Sequence, residues 1–250
     1  MASAGRSVSI SDRLSLPILS NEMPILYEDE DEADMGESNP HVDADEILHI
    51  CLKAHLRNHP ELAVYSNMNL YYRKGRRQKK SQSLPYISPD DMVVRPHQAL
   101  GEDVSSYTIG LDGPPPLLAA EVLSERSAQE RDLDDKLVIY ANLGVPEYLL
   151  VDLTGRYLAE RLLLKRLQPN RTWRDERDPD GGVTSQLGFR AIIEKDGRLR
   201  LLNAATGRPY VRPDEAEQRI RTLEEELSRL RARQQRQTRR GGKNGRRKKK

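Results

Sequence analysis

Three ionisable residue types occur in an order that could support chemistry on a phosphate. A carboxylate, Asp90 or its neighbour Asp91, begins an apolar segment. Glu121 lies inside an apolar run, and Lys136 falls on the helix-like stretch that follows. Carboxylates on neighbouring strands can hold Mg²⁺ against a phosphate, and a nearby ammonium can orient or deprotonate the attacking water. The pattern indicates metal-dependent phosphodiester hydrolysis, with Mg²⁺ as the expected ion and Mn²⁺ as a substitute.

Glu121 is the anomaly of its segment, because it interrupts the apolar run LLAAEVLS. A lone carboxylate is unfavourable in a buried strand unless it is paired or binds a cation. The sequence therefore predicts a charged partner for Glu121. The alternative is that Glu121 lies at a strand edge and faces solvent.

The helix-like stretch after this run carries three polar residues on one face. Asp132, Lys136 and Tyr140 are each four residues apart and therefore lie on the same side of a helix. They could point back over the preceding strand, which makes Asp132 and Tyr140 accessory candidates. The alternative is a solvated stripe with one ion pair, and this is the more common outcome for such spacing.

Hydrophobic periodicity predicts the elements that must position these residues. A helix is expected from residue 43, capped by Asp43 or Asp45, with an apolar face formed by Ile47, Cys51, Ala54 and His55. The alternating segment 62–72 and the segment 86–94 predict two antiparallel strands around a basic turn. The run LLAAEVLS is typical of a central strand.

The second half of the pattern continues as a mixed sheet. A helix is predicted to end at Gly144, followed by the buried strand VPEYLLVDL. RYLAERLLLKRL predicts a further strand, and FRAIIEK and RLRLL predict a pair joined at Asp196-Gly197. The expected class is α/β, with one domain over residues 43–212.

A short coiled-coil helix is predicted for residues 213–235. Its apolar residues recur at alternating spacings of three and four, which is the spacing of a coiled-coil seam. They are Ile220, Leu223, Leu227 and Leu230. Because so short a helix is marginal alone, we expect it to pair with a second copy and form a homodimer.

The two ends of the chain have opposite charge. Acids dominate from Glu28 to Glu46, whereas the stretch from Arg231 to Lys250 is almost purely basic. Like charges with few apolar residues do not bury enough surface to fold. We therefore predict that residues 1–42 and 236–250 are disordered.

The composition bears on the cellular location that is expected for the chain. A single cysteine, Cys51, excludes an internal disulfide and a thiolate metal site, and its apolar neighbours predict a buried position. No stretch has the roughly 20 apolar residues that cross a bilayer. The first 26 residues also have no continuous apolar core of signal-peptide length. These last two observations predict a cytoplasmic protein with no membrane partner.

A basic turn precedes the segment that begins with Asp90. It carries Arg73, Lys74, Arg76, Arg77, Lys79 and Lys80. Such a cluster favours salt-sensitive contact with phosphate backbones, and the neighbouring Tyr71, Tyr72 and Tyr86 could stack on bases. The alternative is a solvated loop. Nucleic acid is the expected partner, with DNA favoured over RNA.

Four motifs in order resemble one known family. They are the PD before an apolar triplet in SPDDMVV, the EVLS, the D-x-x-x-K helix, and GVPEYLLVD. Together with the later LGFR and TGRP, they closely resemble the Uma-two (Uma2) family of putative restriction endonuclease domains. This family is a branch of the PD-(D/E)xK nuclease superfamily. The resemblance covers roughly residues 45 to 212 of this sequence.

The resemblance implies a restriction-endonuclease-like core, a mixed sheet flanked by helices, in which Asp90 and Glu121 hold the metal. Asp90 is favoured over Asp91 because it directly follows Pro89, as in the motif. The sequence has Leu123 where the superfamily places its lysine, and Lys136 takes that role, as the family itself shows. Glu46 could supply an extra acid from the first helix.

Two further functions compete with the endonuclease. One is a nuclease-derived module that binds nucleic acid without cutting it, and its binding would be indifferent to chelator and to Glu121→Ala. The other is an interaction protein assembled through residues 213–235, with the domain as a scaffold. Sedimentation as a monomer would exclude the latter.

Overall fold

A computed structural model describes residues 39–72, 85–101, 104–124 and 132–246. The chain divides into two units, with the boundary between residues 210 and 211. In the described part, the first unit mixes helices and strands, and the second contains one helix.

The first unit has two helices in its described part, α1 (Asn39–Leu56) and α2 (Asp132–Leu143). The strands of its first half are β1 (Ala63–Ser66), β2 (Asn69–Tyr71), β3 (Tyr86–Ile87), β4 (Asp91–Val94), β5 (Ser106–Thr108) and β6 (Leu118–Val122). Those of its second half are β7 (Glu147–Val151), β8 (Leu162–Leu167), β9 (Trp173–Glu176), β10 (Val183–Thr184), β11 (Phe189–Ile193) and β12 (Leu199–Asn203).

The main sheet has six strands in the order β1-β4-β6-β7-β8-β9. Within the main sheet, β6 and β7 are the parallel pair, and α2 provides the crossover that connects parallel neighbours. Two small sheets, β10-β11-β12 and β3-β2-β5, complete the unit. The predicted α/β class with a mixed central sheet is confirmed.

The main sheet has a hydrophobic core on each face. Alternate residues of β6 point to opposite sides, so Ala120 joins the core that contains α1, whereas Ala119 joins the core that contains α2. Cys51 is fully buried in the α1 core, as predicted. Both faces of the central strands are therefore buried.

The predicted hairpin is present, but both of its arms are broken. β1 pairs with β4 in the main sheet, while β2 pairs with β3 in a small sheet. The break falls at Asn67, which has a φ of 48° and donates its N–H to the Asp90 carbonyl at 2.9 Å. Asparagine tolerates this left-handed conformation, and on the opposite arm Pro89 lacks the N–H needed to continue a ladder.

Two predicted boundaries and one predicted helix face differ from the structure. Helix α1 begins at Asn39, inside the segment predicted to be disordered, and residues 1–38 lie outside the described residues. Ala54 is exposed, and Leu48 and Leu52 complete the buried face instead. Strand β8 begins only at Leu162, because the chain before it forms a loop whose N–H groups bind the buried carboxylate of Asp152.

The second unit contains α3 (Pro213–Arg246), which extends past the predicted end at residue 235. This extension contains four arginines, which favour helices, and three glycines, which do not. The basic residues 247–250 lie outside the described part. In the described residues, no helix is both long enough and apolar enough to cross a membrane.

Candidate active site

Glu121 lies on β6, at the centre of the main sheet, and its side chain is only 3% exposed. It points to the face covered by α2. Lys136 Nζ donates a hydrogen bond to Glu121 Oε1 at 3.0 Å, and the Tyr140 hydroxyl lies 3.4 Å from the same oxygen. The predicted buried pairing of Glu121 is present, and the solvent-facing alternative is wrong.

Helix α2 presents Lys136 and Tyr140 to the sheet from successive turns. Tyr140 is fully buried, so the stripe is not simply solvated. Lys136 Nζ also donates to the Ser88 carbonyl at 3.3 Å, which links α2 to the chain just before β4. Asp132 is the first residue of α2, but its side chain lies outside the described part.

Asp90 lies opposite Glu121 on the neighbouring strand. Asp91 pairs with Ala120 in the antiparallel register, so the preceding residue falls across from Glu121. The Val122 N–H donates to Asp90 Oδ2 at 2.7 Å, which fixes the carboxylate against β6. The structure therefore brings Asp90, Glu121, Lys136 and Tyr140 to one place.

Asp91 projects to the opposite face of the sheet. Its carboxylate is fully buried in the α1 core, and Oδ1 lies 2.8 Å from His49 Nδ1. Burial raises the pKa of Asp91 to about 6, although the hydrogen bond from His49 lowers it. Glu46 is exposed on α1, which covers this same face. The structure does not bring Asp91 or Glu46 to Glu121.

The predicted nucleic-acid arm lies outside the described residues. This applies to Arg73, Lys74, Arg76, Arg77, Lys79 and Lys80. Of the flanking tyrosines, Tyr72 is buried and cannot stack on a base, which corrects that prediction. Tyr71 and Tyr86 are partly exposed, with ring centroids 5.2 Å apart.

The electrostatics of the site favour a cation. Burial raises the pKa of Glu121 to about 8, and the Asp90 carboxylate adds to the rise, while the Lys136 ammonium opposes it. Burial and Glu121 also hold the pKa of the Tyr140 hydroxyl well above its usual range, so Tyr140 is a neutral donor. A divalent cation between the two carboxylates would offset their desolvation and mutual repulsion.

The donor set fits Mg²⁺, which commonly binds proteins through one or two carboxylates and keeps several of its waters. Asp90 and Glu121 supply two such groups from adjacent strands. Within the described residues, no cluster of three or more histidine, cysteine, aspartate or glutamate side chains could hold a metal ion. Backbone carbonyls and water would complete the shell.

The acids of the GVPEYLLVD motif have a structural role that the sequence did not show. Glu147 on β7 is buried, and its carboxylate accepts hydrogen bonds from Arg166 at 3.0 Å, from the Ser185 hydroxyl at 2.5 Å and from the Gln186 N–H at 3.0 Å. It projects to the face opposite Glu121. Glu147 therefore stabilises the fold, whereas Asp90 and Glu121 lie on the same face as Lys136.

Asp152 holds the loop after β7. Its buried carboxylate accepts backbone N–H bonds from Thr154, Gly155, Tyr157 and Leu158 at 2.7 to 2.9 Å. Asp152→Ala is expected to lower the free energy of unfolding by about 3 kcal/mol, because these donors lose a charged acceptor. Urea denaturation measures this change.

The control for this substitution is Asp43→Ala, which removes an exposed aspartate of α1. We expect it to change the free energy of unfolding by less than about 0.5 kcal/mol. Equal stability of the two variants would contradict the anchoring role of Asp152.

Comparison with known proteins gives a matching family model and similarity to solved structures. The model of the Uma2 family, described as putative restriction endonuclease, matches residues 21–193. No curated protein matches the sequence. A crystal structure of a putative nuclease belonging to DUF820 from Anabaena variabilis ATCC 29413 is similar over 72% of this chain and 89% of that chain, with 14% identity and a TM-score of 0.45.

Proposed function

The chain belongs to the Uma2 family of putative restriction endonucleases, and from this premise we propose that it is a metal-dependent endonuclease. Asp90 and Glu121 hold the ion, and Lys136 acts on the water or on the phosphate charge. The observation that carries the proposal is the buried carboxylate of Glu121, with Lys136 Nζ at 3.0 Å and Asp90 across the strand pair.

Hydrolysis forms a bond between phosphorus and a water oxygen and breaks the bond to one bridging oxygen. The water loses a proton, and the departing oxygen gains one. When bound, Mg²⁺ lowers the pKa of water and neutralises charge on the phosphate oxygens. Lys136 stabilises that developing charge, and Tyr140 holds the Glu121 carboxylate in place by its hydroxyl.

The proposed substrate is DNA, with Mg²⁺ as the ion and Mn²⁺ as a substitute. The basic segment 73–80 precedes β3 and β4 in the sequence, and Asp90 lies between these two strands, directly before β4. Contacts from such residues give sequence-independent affinity that falls as salt rises. Salt-dependent binding of plasmid in EDTA would support this role of the arm.

The two adjacent aspartates give a direct test of the site. Asp90→Asn is expected to lower cleavage at least about 100-fold, whereas Asp91→Asn stays within about 10-fold of wild type, because only Asp90 shares a face with Glu121. Initial rates of plasmid cleavage in Mg²⁺ measure both effects.

Each asparagine variant keeps the shape of the side chain, so the pair controls for local packing. Thermal unfolding of both variants identifies any loss that comes from folding. A fully active Asp90→Asn protein beside an inactive Asp91→Asn protein would move the ligand to the α1 face and contradict the assignment.

Two features stay predictions of the sequence pattern. One is the cytoplasmic setting. The other is self-association through α3, which would give the assembly two sites.

A further inference from the structure

Helix α3 carries an apolar stripe that faces solvent. Ile220, Leu223, Leu227 and Leu230 are between 51% and 59% exposed. Removing such apolar side chains from water is favourable, so the exposed stripe is a candidate contact surface. Ile220 and Leu227 occupy a positions and Leu223 and Leu230 occupy d positions, which together form the apolar seam of a coiled coil.

The charges beside the stripe distinguish the possible partners. With Ile220 at position a, the flanking g positions hold Arg219 and Glu226, and the e positions hold Glu224 and Arg231. All four side chains are exposed. In a parallel, in-register pair, each g residue faces the e residue of the next heptad on the other helix, and such pairs set orientation.

Both parallel contacts are attractive. Arg219 faces Glu224 of the second copy, and Glu226 faces Arg231 of the second copy. An antiparallel pair that aligns Ile220 with Leu230 would instead place Glu226 against its own counterpart, which is repulsive. When the apolar stripes are fully aligned, the charge pattern therefore complements itself in the parallel orientation only.

We propose that α3 pairs with a second copy of this chain as a parallel, in-register coiled coil through the stripe from Ile220 to Leu230. The parallel orientation brings both copies of the basic segment 231–250 to the same end of the coil. Their positive charges then add toward a polyanion. This proposal does not depend on cleavage, so a failure of the proposed nuclease leaves it standing.

The oligomeric state of the full chain is the first test. We expect sedimentation velocity at micromolar concentration to give twice the 28.5 kDa of one chain. The double variant Leu223→Asp/Leu227→Asp should sediment as a monomer, because two charges enter the seam. A monomeric wild type, or a dimer that survives the double substitution, would overturn the proposal.

Disulfide cross-linking tests the orientation. Gln234 occupies the next a position, so the Gln234→Cys chain should form a covalent dimer under mild oxidation, because parallel pairing places the two positions together. Ser228→Cys, at an outer b position, and the wild type with its buried Cys51 are controls that should not cross-link. A dimer in which Gln234→Cys fails to cross-link overturns the parallel register.

Charge exchange tests the proposed contacts. Glu226→Arg alone and Arg231→Glu alone each place like charges across the seam and should weaken self-association. A mixture of the two variants restores opposite charges at both contacts, so we expect mixed dimers to exceed either homodimer. If both variants self-associated as strongly as the wild type, or if the mixture showed no preference for the mixed dimer, the g-to-e pairing would be wrong.

Discussion

Glu121→Gln is expected to lower metal-dependent cleavage at least about 100-fold while changing the free energy of unfolding by less than about 1 kcal/mol. The amide keeps the shape of the side chain and can still accept from Lys136, but it cannot supply the negative charge that holds a divalent ion. Burial already disfavours the charged form, with a pKa of about 8, so loss of the carboxylate costs the fold little.

Glu147→Gln is the matched control. It alters a second buried glutamate, on the neighbouring strand β7, whose carboxylate also lies 3.0 Å from a cation, here Arg166. We expect this substitution to lower the free energy of unfolding by about 2 kcal/mol or more, because it removes a buried charge that Arg166 pairs with. Because Glu147 faces the other core, the cleavage rate of the folded protein should stay within about 10-fold of wild type.

The two glutamate variants should therefore show opposite effects. Plasmid cleavage and urea denaturation of both proteins, prepared in parallel, measure them. If Glu121→Gln were to cleave at the wild-type rate, the site would be wrong. If it unfolded like Glu147→Gln, Glu121 would be a structural acid.

Lys136→Ala is the second large expected loss. We expect cleavage to fall at least about 100-fold, because the ammonium that stabilises charge on the phosphate is removed. Lys136→Arg keeps the positive charge and should retain activity within about 10-fold of wild type. Lys195→Ala removes an exposed lysine of the same chain and should have no effect.

The arginine variant separates the two roles considered for Lys136. An arginine stays protonated and cannot accept a proton from water. If Lys136→Arg were as inactive as Lys136→Ala while both proteins unfolded at similar temperatures, charge stabilisation would be the wrong role. Proton acceptance by a neutral lysine would then be favoured.

The sequence pointed to the candidate residues through one anomaly, one helical spacing and the resemblance to a family. Glu121 interrupts an apolar strand, and Lys136 and Tyr140 follow at helical spacing. Parallel strands joined by a helix must place the start of that helix over one face of the sheet. The local pattern therefore predicted a charged partner for Glu121, and the structure provides Lys136 in that role.

The adjacent pair Asp90-Asp91 does not show by itself which of the two side chains lies on the same face as Glu121. Consecutive strand residues point to opposite faces, but the assignment of faces depends on the register between β4 and β6. That register depends on the break at Asn67 and Pro89, which divides the hairpin between two sheets. Alternation along 62–72 looked continuous, yet Val64 and Met68 join different cores.

The structural acids were missed because the partners of Glu147 and Asp152 are set by tertiary structure. Glu147 interacts with residues 19 to 39 positions away in sequence, which no local period records. Strand β9 was also missed. Its polar residues follow the edge of the sheet, where burial does not impose alternation.

The most direct test of the proposed activity is cleavage by the wild-type chain of supercoiled plasmid, single-stranded DNA and RNA, each in Mg²⁺, in Mn²⁺ and in EDTA. The Glu121→Gln protein, purified in the same way, controls for contaminating nuclease. We expect plasmid to be cut in Mg²⁺ or Mn²⁺, to stay intact in EDTA, and to stay intact with the variant. Cleavage that persists in EDTA, or no cleavage of any substrate with either metal, would contradict a metal-dependent nuclease centred on Glu121.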